Sequence, residues 1–413
     1  MTSVQRPILW DIYEEHLDEA AFLWGQWERA LGAANYALDQ VIVGPEERLL
    51  AHLDGLVLGG KRVAEKLLLP ALADDDDGKV FAAAWALLQA EDADHLEGVT
   101  AHLPTAKPPA LAALARALEL STRADLVKPL ASLWERSDAP IRGLLFDALS
   151  ARDARWAAER MGPSLEAGER TLQVAALRAL ARNPDRTFAG HVEQALRSED
   201  AGVRAEAIAA GFILRLARAQ DVCFQEAQRV DEGCRLPLAL LAVAGTPGGR
   251  NYLGARLAAA EARPHVLWAL GFVGDVEAAD TMVAVLEDAT MAKVAGESLT
   301  AITGVAIAGR LVTPGVTKGP GVEDVGPEDP VPEARSEDLL PMPAPAAVRK
   351  WWQRAREQLQ PGVRYVYGRP RAVETVRAAL AVASMPRRAV LALELGASGT
   401  LTRTTGWARA QSR

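Results

Sequence analysis

The chain has 413 residues, 24% of them charged and 49% hydrophobic but only 5% aromatic, with a formal net charge of -8. Single compact cores stop growing at about 250–300 residues, so this length implies either two ordinary domains or one extended repeat array. The acidic balance argues against a broad phosphate-binding surface, although a local basic groove survives averaging. Two cysteines, Cys223 and Cys234, are too few for a disulfide framework or a multi-cysteine zinc site and suit a reducing compartment.

The N-terminal stretch meets acidic residues by Asp11 and lacks the basic-then-apolar order of a signal peptide. No apolar run reaches the roughly 18–20 residues that span a bilayer, so a soluble, cytoplasmic protein is expected. Ile12, Leu17, Ala20, Ala21, Phe22, Trp24, Trp27 and Leu31 recur at helical spacing and give a first helix with an aromatic-rich face. Pro45 suits a first helical turn and opens a second helix carrying Leu49, Leu50, Leu53 and Leu56. Residues 1–73 therefore read as an atypical N-terminal helical cap. Asp74 to Asp77 and Gly78 form the turn that leaves it, a solvated turn because Gly78-Lys79-Val80 lacks the further oxygen ligands of a calcium loop.

Similar apolar segments then begin at Val80, Ala110, Ile141, Leu172 and Val203, spaced by 30, 31, 31 and 31 residues. The beat continues less cleanly from Leu236, Val266 and Ala292. In each unit an amphipathic helix is followed, after a short break, by a second. A helical hairpin of this kind cannot bury its apolar faces alone, and stacking on its neighbours does so. Ala82, Ala83, Ala112, Ala115, Ala175, Ala176, Ala179, Ala207 and Ala210 let helix axes approach closely. Residues 74–313 thus read as a repeat array, and the fold class as an all-α solenoid. Residues 314–347, rich in Pro, Gly and acid, read as a flexible insertion. Residues 348–413 form a C-terminal helical cap and tail. Trp351, Trp352 and Ala355 are assigned to one side of a short helix there, with Lys350, Arg354 and Arg356 polar; the tail runs through Trp407.

Pro45-Glu46-Glu47-Arg48-Leu49-Leu50-Ala51-His52-Leu53-Asp54-Gly55-Leu56 resembles the "DERL-AHLDGL" segment of an uncharacterised bacterial HEAT-like repeat family, with Glu46 in place of the usual Asp. Glu47, Arg48, His52, Asp54 and Gly55 carry the motif, and Gly406-Trp407-Ala408-Arg409 resembles the family's C-terminal ending. The resemblance implies HEAT-like hairpins related to those of phycobilisome lyases. It also implies an accessory, adaptor or immunity role beside type VI secretion or effector genes, and it supplies no catalytic residue.

The residues themselves offer little chemistry. His52 falls on the Leu49, Leu53, Leu56 face and is expected beside Asp54 or a residue of the first helix, while His16 lies near Glu15 and Glu19. A catalytic zinc site needs about three protein ligands, and His95 and His102 stand seven apart with no third histidine close in sequence. No His-Glu dipeptide of the iron-binding HEAT-like type occurs, and nothing marks a bilin site. Acidic neighbours oppose thiolate formation at Cys223 and Cys234. The stretch Gly55 to Arg62 lacks the Gly-Lys-Ser/Thr ending of a phosphate loop, and Gly396 to Gly399 misses the nucleophile elbow.

The expectation is a non-enzymatic protein-interaction scaffold without metal or cofactor, its partner a protein such as a secreted effector or toxin. Arg142, Arg178 and Arg204 recur at comparable places on the inner helices and are the candidate partner contacts; the same positions suit an arginine ladder pairing with neighbouring repeats. Basic runs at Arg349 to Arg356 and Arg369 to Arg388 keep a nucleic-acid reading open, and an enzyme with an unrecognised pocket is the other alternative.

Overall fold

The computed structural model describes residues 8–90, 92–315, 336–400 and 406–411, and the fold is all-α. Among the described residues the strands are the two-residue pair Tyr365–Val366 and Arg369–Pro370, which is antiparallel. Contacts divide the chain into two units: one holds the residues up to Leu31, Asp39–His191 and the C-terminal 406–411, the other Gly32–Leu38 and 192–400. Residues 39–73 therefore pack in one unit with the first repeats, and the tail returns to that unit rather than closing the later repeats.

In the first unit the helix Trp10–Gly32 is followed by a π-helical turn, Ile42–Glu46, that runs into the helix Glu47–Leu58. Pro45 sits buried inside this turn and not at the start of a helix as the sequence led us to expect. A wider turn tolerates the missing N–H that an α-helical interior would require. The inner helices are Asp77–Gln89, Pro108–Leu120, Ala139–Ser150 and Arg170–Arg182, each opening 31 residues after the last. Ala93–His102, Val127–Arg136 and Ala154–Glu166 complete the hairpins. Aspartates fix the register. Asp76, Asp138 and Asp153 each accept a backbone N–H of the following first turn, a cap that typically contributes about 1 kcal/mol. Successive inner helices pack directly on one another, and Phe81, Leu114, Phe146 and Leu177 are all fully buried between them. Each such side chain contributes about 1.5–3 kcal/mol relative to exposure. In Pro108–Leu120 the close-approach positions are Ala113 and Ala117; Ala112 is exposed and Ala115 half-buried.

The second unit repeats the pattern with Ala201–Ile213, Arg235–Ala244, Arg263–Val273 and Ala289–Thr303 as inner helices. Gly274 and Gly304 end the last two in the left-handed conformation, at φ 70° and 74°. Beyond tolerating that backbone, both glycines leave room for a neighbour. A Cβ at Gly274 would collide with the Tyr365 carbonyl oxygen, and one at Gly304 would lie 2.7 Å from that of Tyr367. The small β-hairpin thus seats on two successive helix ends, with Tyr365 N–H donating to Gly274 O at 2.8 Å and Tyr367 N–H to Ala301 O at 2.7 Å.

Residues 316–335 of the expected insertion lie outside the described residues, but its base is built. Val312 bridges Pro343, Thr313 N–H donates to Met342 O, Ala344 N–H donates to Leu311 O, and Leu340 is buried. The helix Pro345–Ala355 follows and packs on Val276–Ala284. Finally Val373–Val382 and Met385–Ala397 pair, and the latter packs on Ala201–Ile213 and Arg235–Ala244 instead of simply following the last repeat.

Candidate functional site

The arginines on the inner helices are largely occupied within the fold. Arg142 donates to the Trp134 and Glu135 carbonyls and stacks 5.1 Å over the Trp134 ring. Arg204 donates to Ser198 O and Glu199 O and pairs with Glu226 at 3.0 Å. The pattern is general. Arg123, Arg152 and Arg256 likewise reach the carbonyls at the end of an earlier helix, where a cation meets both unpaired oxygens and the negative end of the helix dipole. Arg178 is the more open member, with its side chain 48% exposed and 3.5 Å from Asp147. Burial pushes the Asp147 carboxyl above its usual range, against the pull of Arg182 and Arg178.

The N-terminal motif divides in two. Glu47, Arg48 and Asp54 are exposed. His52 meets His16 of the first helix, not Asp54: their Nδ1 atoms are 3.1 Å apart with edge-to-face rings. Gly55 leaves the room this needs, since a Cβ there would fall 2.9 Å from His16 Nε2. Burial, with His16 second, lowers the His52 pKa.

The sequence reading missed the most heavily bonded residue nearby. Glu46 is fully buried and accepts from Trp27 Nε1 at 2.9 Å, the backbone N–H groups of Ala408 and Arg409 at 2.5 and 2.9 Å, and Arg409 Nε at 3.2 Å. Trp407 lies between Trp27 and Trp85, at 5.0 and 5.8 Å, and donates to Leu120 O. This socket satisfies its charge from within the chain and leaves little for a partner.

A groove in the second unit does the reverse. Its volume is about 1060 Å³, and its lining includes Arg310, Lys350, Trp351, Arg354 and Tyr365 but, among the described residues, no Asp or Glu. Helical geometry creates its long wall. On Pro345–Ala355, Ala347, Lys350, Trp351 and Arg354 line the groove together with Gln358 just beyond, the spacing of one helix face. Adjacent positions differ by about 100°, so Trp352 faces elsewhere: it is buried and donates to Asp280 at 2.8 Å. The two tryptophans do not share one side as expected, because the buried side is held by Val348 and Trp352. Arg356 chelates Asp280 and Arg349 pairs with Glu287 at 2.7 Å. Burial raises the Asp280 pKa, but the hydrogen bonds from Arg356 and Trp352 outweigh it and hold the carboxyl below its usual range. Among the described residues, no hydrogen bond or ion pair engages Arg310, Lys350 or Arg354.

The second basic run is split: Arg369, Arg371 and Arg377 are exposed, whereas its last two arginines are buried. Arg387 and Arg388 are 1% and 2% exposed. Arg387 clasps Glu297 through two 2.6 Å bonds and packs against Trp268 and Phe272. Both cysteines are buried, and burial drives their thiols up to about 12 at Cys223 and about 11 at Cys234. Among the described residues, no three or more His, Cys, Asp or Glu side chains converge on a metal position, and no helix is long and apolar enough to cross a membrane.

Neither a protein-family model nor a curated protein sequence matches the chain. A comparison of folds finds a solved structure titled the X-ray structure of YIBA_ECOLI, 14% identical, covering 73% of this chain and 99% of that one at a TM-score of 0.35. Likeness at that level carries no conclusion about this chain's fold or function.

Proposed function

We propose that the chain is a non-enzymatic interaction protein that holds an acidic segment of a protein partner in the groove beside Trp351. The observation that carries this reading is a concave surface that, among the described residues, has three cations, no lining carboxylate and a partly open indole, on a fold whose other arginines are mostly bonded internally. Partner carboxylates would pair with Arg310, Lys350 and Arg354, and the Trp351 ring would cover an apolar side chain beside them. Stacked hairpins supply the rigid backing, since Trp352, Arg356 and Arg349 clamp the groove helix from behind. The motif around His52 supports placing the protein as an accessory, adaptor or immunity component of a bacterial type VI effector system.

An acidic protein segment is favoured over nucleic acid on charge. Three cations make few phosphate contacts compared with the about 6–10 of a salt-sensitive nucleic-acid binder, and the chain carries a net charge of -8. Calorimetric titration with a twelve-residue Glu/Asp-rich peptide containing one Phe, and separately with a twelve-nucleotide single strand, tests the choice. The peptide should bind and lose at least tenfold in affinity in the Arg310→Glu, Lys350→Glu, Arg354→Glu variant. Absence of peptide binding, or tighter binding of the oligonucleotide, would overturn the reading.

A further inference from the structure

A second cavity, of about 600 Å³, lies within the same unit and is built differently from the groove. That volume falls in the range of about 300–1,000 Å³ usual for small-molecule sites, which combine apolar walls with a few convergent polar groups. Leu216, Leu240, Leu241 and Val243 supply the apolar wall, and Arg215, Arg364 and Arg371 the charge. Among the described lining residues one carboxylate stands against these three guanidinium groups, and it pairs with two of them. Glu394 is 3% exposed, takes both Arg364 nitrogens at 2.8 and 2.7 Å, and accepts from Arg371 Nε at 2.9 Å. The pair of arginines is therefore held in place before any ligand arrives, while positive charge remains in excess. Arg371 reaches Ser398 only through a long 3.5 Å contact.

Arg215 is also held in place. It is one of two non-glycine residues with positive φ among the described residues, at 56°, and its Nε donates to Ala397 O at 2.6 Å. This left-handed residue closes the helix Ala201–Ile213, with Leu216 N–H donating to Gly211 O at 2.9 Å, and so fixes where the Arg215 side chain leaves the backbone. The bond to Ala397 spends Nε and leaves the terminal nitrogens of an exposed side chain at the mouth of an apolar cavity. Cys223 also lines the cavity, but it is buried and its thiol is driven up to about 12, so it is a wall residue and not a nucleophile.

We infer that this cavity binds a small amphiphilic carboxylate, its anionic head between Arg371 and Arg215 and its apolar body against Leu240, Leu241 and Val243. The inference is independent of the Trp351 groove. Decanoate is the probe, titrated calorimetrically, with decanol as the uncharged analogue of the same chain length. Decanoate should saturate at one site and bind at least tenfold more tightly than decanol. Arg371→Ala should weaken it at least tenfold, and Arg371→Lys should restore part of the loss. Val243→Trp, which fills the half-buried wall and leaves every charge in place, should abolish binding while circular dichroism shows the fold intact. Equal affinity for decanol, undiminished binding in Val243→Trp, or no saturation by millimolar decanoate would each overturn the assignment.

Discussion

The Glu46 socket of the first unit and the Trp351 groove of the second both combine tryptophan with charge, and they use that combination in opposite ways. Glu46 is fully buried and receives four donors, three of them from the tail segment Ala408 and Arg409. Such a charge must be bonded where it stands, because an uncompensated buried carboxylate costs several kcal/mol. In the groove, Arg310, Lys350 and Arg354 are exposed and unpaired among the described residues, so their charge is still available to a partner. In these two regions the fully bonded charge closes the fold, and the unpaired charges face an open concavity.

The largest expected effect comes from emptying the socket. Trp407→Ala should destabilise the protein by about 3–5 kcal/mol through the lost burial and the cavity left between Trp27 and Trp85, measured by denaturant unfolding. Glu46→Gln should cost about 1–3 kcal/mol by the same measurement, because an amide NH₂ cannot accept from the backbone donors of the tail. Asp280→Asn sharpens the other side, since the bonds it loses brace the groove helix. Its pKa is depressed in the folded state, so the stability it contributes is present above its unfolded pKa of about 3.9 and is lost as pH falls through the folded value. The deficit of the variant, at most about 1 kcal/mol for a pair this open to solvent, should shrink as thermal melts are run at falling pH below the unfolded pKa. The smallest stability effect belongs to the groove cations. Lys350→Glu with Arg354→Glu should stay within about 0.5 kcal/mol of the parent, while acidic-peptide affinity drops at least tenfold in calorimetry. A large stability loss in that double variant would erase the distinction between the two regions.

The repeat was legible in the sequence because stacking forces apolar residues to recur at a fixed interval. Segments read as starting at Val80, Ile141, Leu172 and Val203 lie inside helices opening at Asp77, Ala139, Arg170 and Ala201. What escaped was long-range. The bond between Glu46 and a tail segment more than 360 residues away has no local signature, and in the motif Glu46 stood out only as a departure from Asp. Arg142, Arg204 and Arg387 look alike in sequence as exposed cations, yet carbonyls, indole rings and the carboxylates of Glu226 and Glu297 hold them. The groove was half legible: the helix with Lys350 and Arg354 was visible, but assigning adjacent Trp351 and Trp352 to one side ignored the 100° turn between them.

The contrast between the two regions is tested most directly by 19F NMR of protein labelled with 5-fluorotryptophan, with resonances assigned through Trp351→Phe and Trp407→Phe. Titration with the acidic peptide should move the Trp351 resonance saturably and leave that of Trp407 in place. A fixed Trp351 resonance, or equal movement of Trp407, would contradict the assignment of the groove as the partner site.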